Sequence, residues 1–413
     1  MRVLVLHNRY RQPGGEDAVV DAEVSLLRQH GFEVVRYERS NEFDGWASAV
    51  KTVVGSAWSR RSYQEVFELC RQFRPHVAHV HNFWAVLSPA VHAACRAAGA
   101  ATVQTLHNYR LLCVNAFLLR KGVPCQDCLG RWPWRGVLRR CYRNSALASA
   151  AVAHLVIANR LRRTWDKDVD AFIALSEFAR SRFVAAGLPA DRIFVKPNFV
   201  VDPGPPTRKP SESRLVVFFG RWSEEKGVLV LLEAWRRLNP QWPWRLLIVG
   251  DGPLRASLES KLCASGWNGS VELMGYRTRP EVGELLQTAR VVVVPSLWFE
   301  NCPMVVLEAL ASGRPVIASG LGALQELVPN GVAGLTFAPG DADSLAQVLR
   351  TVFDDDALVD RMGSQARRTY LARYAAKSNL ESLVRIYEAA LARRAVSAET
   401  EPTAVPTGNS SWD

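Results

Sequence analysis

Short β-branched runs alternate with stretches of helical apolar spacing, and they do so twice, on either side of one segment rich in proline, glycine and serine. In the first pass "RVLVLH" (2–7) reads as a strand, "DAVVDAEVSLLRQHG" (17–31) as a helix stopped at Gly31, and "FEVVRY" (32–37) as a second strand. "VAHVHN" (77–82), "ATVQTLHN" (101–108) and "DAFIALS" (170–176) continue the series, the last followed by the helical "EFARSRFVAAG". After "VVDPGPPTRKPSES" (200–213) the pattern restarts with "RLVVFFG", "GVLVLLEAWRRL", "WRLLIVG", "VELMG", "VVVVPS" and "PVIAS". A strand that returns parallel to its predecessor needs a crossover, usually a helix. The pattern therefore predicts two doubly wound α/β domains facing a central cleft. We expect the first over residues 1–200, with an irregular insertion at about 110–143, and the second over 201–375. A crossover helix at 376–395 and a polar, unstructured tail at 396–413 complete the expected layout.

Ligands of such sheets bind beyond the carboxyl ends of the strands. Five stretches fall there. "HNRYRQPGGEDA" places Gly14 and Gly15 before a helix, where backbone can approach a phosphate. "TLHNYR" places His107 just after a strand, and "FFGRWSEEKG" places Arg221 and Lys226 in a strand-to-helix turn. "VGDGP" is a further glycine turn, and "FENCPMVVLEALASG" carries Glu300 in a loop and Glu308 in the second turn of the helix that follows. Taken singly each has an ordinary alternative: a glycine turn, a structural histidine, a surface ion-pair group with Glu224 and Glu225. Their joint order across two domains is the specific signal.

That order resembles the retaining glycosyltransferases of family 4 (glycosyl transferases group 1), whose architecture, GT-B, is a pair of Rossmann-like domains around a cleft. "ENCPMVVLE" is similar to the family's E-x7-E motif and "GRWSEEKG" to its G-R-x-x-x-E-K-G. The resemblance implies that Glu308 holds the ribose of a sugar nucleotide and that Glu300 and His107 stand at the reacting sugar. It gives Arg221 and Lys226, with Gly14 and Gly15, to the diphosphate. Gly275, Tyr276, Asn301, Met304 and Val305 complete the implied nucleotide-sugar contacts. "VKPNFVVD" resembles P-N-G-V-D, with Phe199 standing where the family has glycine. The implied activity is transfer of a hexose from a UDP- or GDP-sugar to a glycan acceptor, lipid-linked in surface or capsular polysaccharide synthesis. Cations at the diphosphate reduce the need for a catalytic metal. The acidic runs "DKDVD" (166–170) and "DDD" (354–356) are read as solvated loops rather than metal ligands. A sugar-nucleotide epimerase of the same architecture and a non-catalytic nucleotide-sugar binding module are the alternatives.

Charge bears on the acceptor. The chain of 413 residues is +11, and residues 1–200 hold 28 Lys and Arg against 16 Asp and Glu, whereas the remainder is nearly balanced. The excess is densest between Arg110 and Arg143, where eight basic residues meet only Asp127, together with Trp132, Trp134, Val137 and Leu138. Such a stripe suits an anionic membrane surface, a phosphorylated substrate or nucleic acid, or is simply a solvated face. With the resemblance we expect an anionic membrane and no nucleic-acid partner. "SALASAAVAHLVIAN" (145–159) is too short for a membrane span and reads as a buried helix. Location in the cytoplasm, peripheral at the inner face of the cell membrane, follows. In the same segment Cys113, Cys125, Cys128 and Cys141 could form a four-thiolate structural zinc site. Four unconnected thiols are the alternative.

Overall fold

The computed structural model describes residues 1–10, 14–40, 55–238, 243–265, 267 and 269–400. The first sheet is built from β1 (Arg2–Arg9), β2 (Glu33–Ser40), β3 (Val77–Asn82), β4 (Ala101–Leu106), β7 (Ala171–Ala174) and β8 (Ile193–Val195), in the order β2-β1-β3-β4-β7-β8. The short strands β5 (Leu119–Arg120) and β6 (Val123–Pro124) form a separate antiparallel hairpin in the insertion. The second sheet comprises β9 (Leu215–Phe219), β10 (Arg245–Val249), β11 (Val271–Gly275), β12 (Val291–Val294), β13 (Val316–Ser319) and β14 (Gly334–Phe337), in the order β11-β10-β9-β12-β13-β14. All pairings in both six-stranded sheets are parallel. Helices cover both faces, which is why β3, β4, β7, β12 and β13 are buried at every position. In each sheet the chain reverses its direction of growth once, between β1 and β3 and between β9 and β12. Those switch points open crevices at the strands' carboxyl ends, and the two crevices face each other.

The helices that matter below are α1 (Gly15–Gln29), α2 (Trp134–Leu138), α3 (Ala146–Arg162), α4 (Val228–Arg236), α5 (Arg279–Thr288), α6 (Met304–Ala311), α7 (Asp356–Arg373) and α8 (Ala376–Thr400). The domains are fastened together at several points. Asn301 Nδ2 donates to the Leu106 carbonyl at 3.2 Å, Phe178 and Phe299 rings lie 4.7 Å apart, and Glu326 caps the helix beginning at Glu177. Helix α8 crosses back and packs on β3, β4, β7 and α1, burying Leu383, Ile386, Tyr387 and Ala390. The proline-rich connection is not a free linker: Arg367 of α7 grips Asp202 with two bonds of 2.7 and 2.8 Å, and Ser211 binds Asp360.

Three expectations need correction. The tail expected to lack structure from 396 is helical as far as Thr400, because no breaker precedes Pro402 and Ala395 and Glu399 favour helix; residues 401–413 lie outside the described residues. Helix α3 is not buried on all sides. Val152, Leu155, Val156 and Asn159 face the core, but Leu147 and Leu161 are 76% and 71% exposed. Nor is "DKDVD" a solvated loop throughout. Asp170 is buried, paired with Arg96 at 2.9 Å, and accepts from the Thr102 amide at 2.8 Å, so it braces β4 against β7.

Candidate active site

A cavity of about 950 Å³ lies between the two crevices. Loops after β1, β4, β9, β11 and β12 supply its walls, which brings together Gly14, Gly15, His107, Arg221, Lys226, Tyr276, Glu300, Asn301, Met304, Val305 and Glu308. Gly275 is the exception among the residues singled out. It ends β11 with φ +71° and stands outside the lining, handing the chain to the 75%-exposed Tyr276. The cavity also reaches Arg9, Arg279, Asn198 and Trp298. Arg9 could have been found by its strand-end position; Arg279, two residues beyond Arg277 in "YRTRP", carries no sequence signal of its own.

The two glutamates occupy different settings. Glu300 is buried, and its Oε1 accepts from Lys226 Nζ at 2.6 Å and from Ser296 Oγ at 2.8 Å. Lys226 is brought there by a tight turn: Glu224–Lys226 form one 3-10 turn, then Gly227 takes φ +70° and starts α4. A Cβ on Gly227 would fall 1.8 Å from the Pro295 carbonyl oxygen, so the turn can lie against the end of β12 only with glycine. Glu225, by contrast, takes a 2.6 Å bond from Ser223. Glu308 lies on α6 at the cavity wall, and burial raises its carboxyl above the usual range, with Arg279 partly opposing.

Positive potential converges from three directions. The α1 N-terminus opens at Gly14 and Gly15, with no atom within 4 Å of a Cβ built on Gly14 and only Met304 Cγ, at 3.5 Å, near one on Gly15. The α6 N-terminus enters through Pro303 and Met304, and Arg221 and Lys226 face them. Asn198 Oδ1, Asn301 Oδ1, Trp298 Nε1 and Glu16 Oε1 are among the buried polar atoms of cavity-lining residues that have no hydrogen-bond partner among the described residues. Such groups are open to water or to a polar ligand.

His107 stands on a buried chain. Its Nε2 is 3.0 Å from His81 Nδ1; His81 and His79 each lie 3.2 Å from Glu23 Oε1; and Lys196 Nζ donates to Glu23 Oε2 at 2.9 Å. Burial holds His107 well below the ordinary histidine range and His81 at about 3, so both are neutral near pH 7. Burial alone would raise Glu23, but Lys196 and His79 overcome it and hold the carboxyl well below its usual value. Glu23, His79 and His81 form the one group of three or more metal-ligating side chains whose ligand atoms all lie within 4.8 Å of each other among the described residues. Lys196 already supplies the cation there. The four cysteines of the insertion line a different cavity, of about 20 Å³.

The cavity between the paired Rossmann-like domains is lined by Arg9, Arg221, Lys226, Arg277 and Arg279 beside five acidic side chains, and two helix N-termini open onto it, an arrangement that can hold a nucleoside diphosphate joined to a polar group. The comparisons name the family. The model for "Glycosyltransferase Family 4" matches residues 14–202 and that for "Glycosyl transferases group 1" matches residues 213–355. The chain is 25% identical over 316 residues to an alpha-D-kanosaminyltransferase of Streptomyces kanamyceticus, spanning 72% of this chain and 76% of the relative. It is 27% identical over 198 residues to the amylovoran biosynthesis glycosyltransferase AmsK of Erwinia amylovora, spanning 46% and 48%. The crystal structure of Anabaena HepE with UDP superposes with a TM-score of 0.67 at 18% identity, covering 94% of this chain and all of that one. The chain is a family 4-like glycosyltransferase with the GT-B fold.

Proposed function

We propose that the protein is a retaining, metal-independent hexosyltransferase that moves a hexose from a UDP- or GDP-sugar to a lipid-linked glycan acceptor at the inner face of the cell membrane. The observation that carries the donor side is the 2.6 Å pair between Lys226 and Glu300 on the wall of the interdomain cavity. In this reading the diphosphate lies between the α1 and α6 N-termini, and Lys226 and Arg221 stabilise the negative charge that grows on it as the glycosidic bond breaks. Preorganised cations do for the leaving group what a divalent ion does elsewhere. Glu308 takes the ribose hydroxyls, an interaction equal in ground and transition states, so it binds without accelerating. Neutral His107, with Glu300, borders the sugar. HepE was crystallised with UDP and with UDP-glucose, and AmsK belongs to amylovoran biosynthesis; both agree with this donor and this kind of acceptor.

The acceptor side rests on the face of the first domain built by α2 and α3. Trp132, Trp134 and Leu138 are 49%, 53% and 73% exposed beside Arg135 and Arg139. On α3, Leu147, His154 and Leu161 recur every seven residues, so they drift only about 20° per step and form one outward stripe. Apolar and cationic side chains on one surface suit an anionic bilayer. No helix among the described residues is long and apolar enough to cross a membrane. Thermal-shift screening against UDP-, GDP- and ADP-sugars, followed by NMR of the anomeric proton of the product, tests the reading. No stabilisation by any nucleotide-sugar, or an inverted product, would overturn it.

A further inference from the structure

The insertion between β4 and α3 has little regular structure of its own and is fixed to the first domain through Val114 and Leu118, which are buried in that domain's core. Its 29 residues from Cys113 to Cys141 contain one hairpin of two-residue strands and the five-residue α2, and they expose Phe117, Val123, Trp132 and Trp134. Chains of this size that fold alone usually need a covalent or metal staple. All four cysteines of the segment, Cys113, Cys125, Cys128 and Cys141, line one small cavity, and none is in a disulfide. We infer that this cavity is a structural zinc site, with the four thiolates as ligands.

Three features of the cavity fit the ion. Its volume, about 20 Å³, suits a single atom rather than a molecule. Two ligands come from Cys125-x-x-Cys128 on one tight turn, where the Leu129 amide donates to Gln126 O and the Arg131 amide to Cys128 O; the other two come from either end of the segment, which is how a tetrahedral site closes a loop. Four thiolates around one Zn²⁺ leave two negative charges, and the same cavity is lined by Arg120, Arg135 and Arg139 against one carboxylate, Asp127, which pairs with Arg139. Four sulfurs at about 2.3 Å from one ion stand about 3.8 Å apart. The thiols share the wall without meeting the 4.8 Å mutual separation that Glu23, His79 and His81 satisfy. All four cysteines are partly exposed.

The site would act on the donor cavity through one contact. Phe117, four residues after Cys113, packs edge-on against Trp298 at 5.0 Å, and Trp298 lies 5.4 Å from Lys226 Nζ. Stapling the insertion seats Phe117 on that tryptophan.

The test is metal content by plasma mass spectrometry on the full chain purified without chelator under reducing conditions. The expected result is about one zinc per chain in the parent and in Cys263→Ser, with at least a tenfold loss in Cys128→Ser and Cys125→Ser. Zinc should also slow alkylation of the four thiols, while exposed Cys263 reacts at the same rate before and after chelation. Parent protein without stoichiometric zinc would overturn the inference, as would zinc retained in Cys128→Ser or iron in its place. The parent measurement stands even if the variants fold poorly, and it is independent of whether any sugar donor is found.

Discussion

Replacing Lys226 with alanine has two separable consequences. The first concerns stability. The 2.6 Å bond joins a lysine side chain 27% exposed to a glutamate side chain only 5% exposed, so the variant leaves Glu300 with Ser296 as its remaining side-chain partner. A hydrogen bond between charged groups contributes about 1.5–3 kcal/mol. For a domain of this size that corresponds to a Tm lower by about 3–12 °C. The second is catalytic: loss of one preorganised charge at a developing anion costs about 2.7–4 kcal/mol, or 10²- to 10³-fold in kcat. Glu300→Gln in the Lys226→Ala background tests the stability part, because a neutral amide no longer needs the ammonium, while Glu300's own place beside the sugar keeps turnover low. The double variant should recover most of the Tm and none of the turnover. The assay is initial-rate transfer, or donor hydrolysis without acceptor, beside differential scanning calorimetry. A Lys226→Ala enzyme with kcat within about threefold of the parent would refute the leaving-group role. Turnover restored by the second substitution would show that the stranded carboxylate, and not the diphosphate, was responsible.

Glu308→Ala should raise the donor KM with kcat nearly unchanged, as loss of uniform binding does; a large kcat loss at constant KM contradicts a ribose contact. Glu16 lines the donor cavity, and its carboxyl is pushed up to about 8, first by burial and further by Asp17, against a bond from Tyr10 and the charge of Arg110. Because the folded value is raised, the group is neutral at pH 7 and turns anionic as pH passes through about 8, where it would repel a diphosphate. Donor KM should therefore climb above that pH in the parent and stay flat in Glu16→Gln; equal profiles would dismiss the effect. Its linked contribution to stability is complete below the ordinary carboxyl range and lost as pH rises through about 8. Transfer should survive EDTA added at assay, and activity restored specifically by Mg²⁺ or Mn²⁺ would contradict the assignment of Arg221 and Lys226. Leu147→Glu with Leu161→Glu should weaken sedimentation with anionic liposomes while nucleotide-sugar binding is kept; unchanged sedimentation at low salt removes the membrane face.

The fold was legible because both of its signals are local. A buried parallel strand must be apolar on both faces, so runs such as "VVVV" at 291–294 announce themselves, and the intervening segments show helical spacing. Lys226 and Glu300 could be singled out for the same reason, since they follow the ends of β9 and β12 by seven and six residues, and Glu308 lies on the helix that comes next. What could not be read is everything made by distant parts of the chain. The pairing of Lys226 with Glu300 spans 74 residues, and the cap of Glu326 on Glu177 spans 149. The burial of Asp170 and the exposure of Leu147 and Leu161 depend on what packs beside them, and an alanine-rich helix looks the same in sequence whether its outer face is covered or bare. Gly275 stands just outside the cavity lining and its neighbour Tyr276 within it, a distinction of one position that the sequence pattern does not make.

Helix α8 shows why the cleft depends on residues far from it. Tyr387 Oη lies 2.9 Å from His79 Nδ1, His79 Nε2 lies 2.7 Å from Thr105 Oγ1, and Asn379 Oδ1 accepts from Lys196. These bonds occupy the far side of the cluster whose near side is His81 and His107. A buried lysine, glutamate and two histidines depend on such partners, because leaving a buried polar atom unmatched costs more than a matched one contributes; Glu23 Oε1 and His81 Nε2 already stand 3.2 Å apart without a hydrogen bond. The helix that follows the second domain thus supplies partners to a charge cluster of the first, and that cluster backs the wall on which His107 meets the cavity. The C-terminal crossover is therefore part of the site's construction, although α8 contributes no residue to the cavity lining.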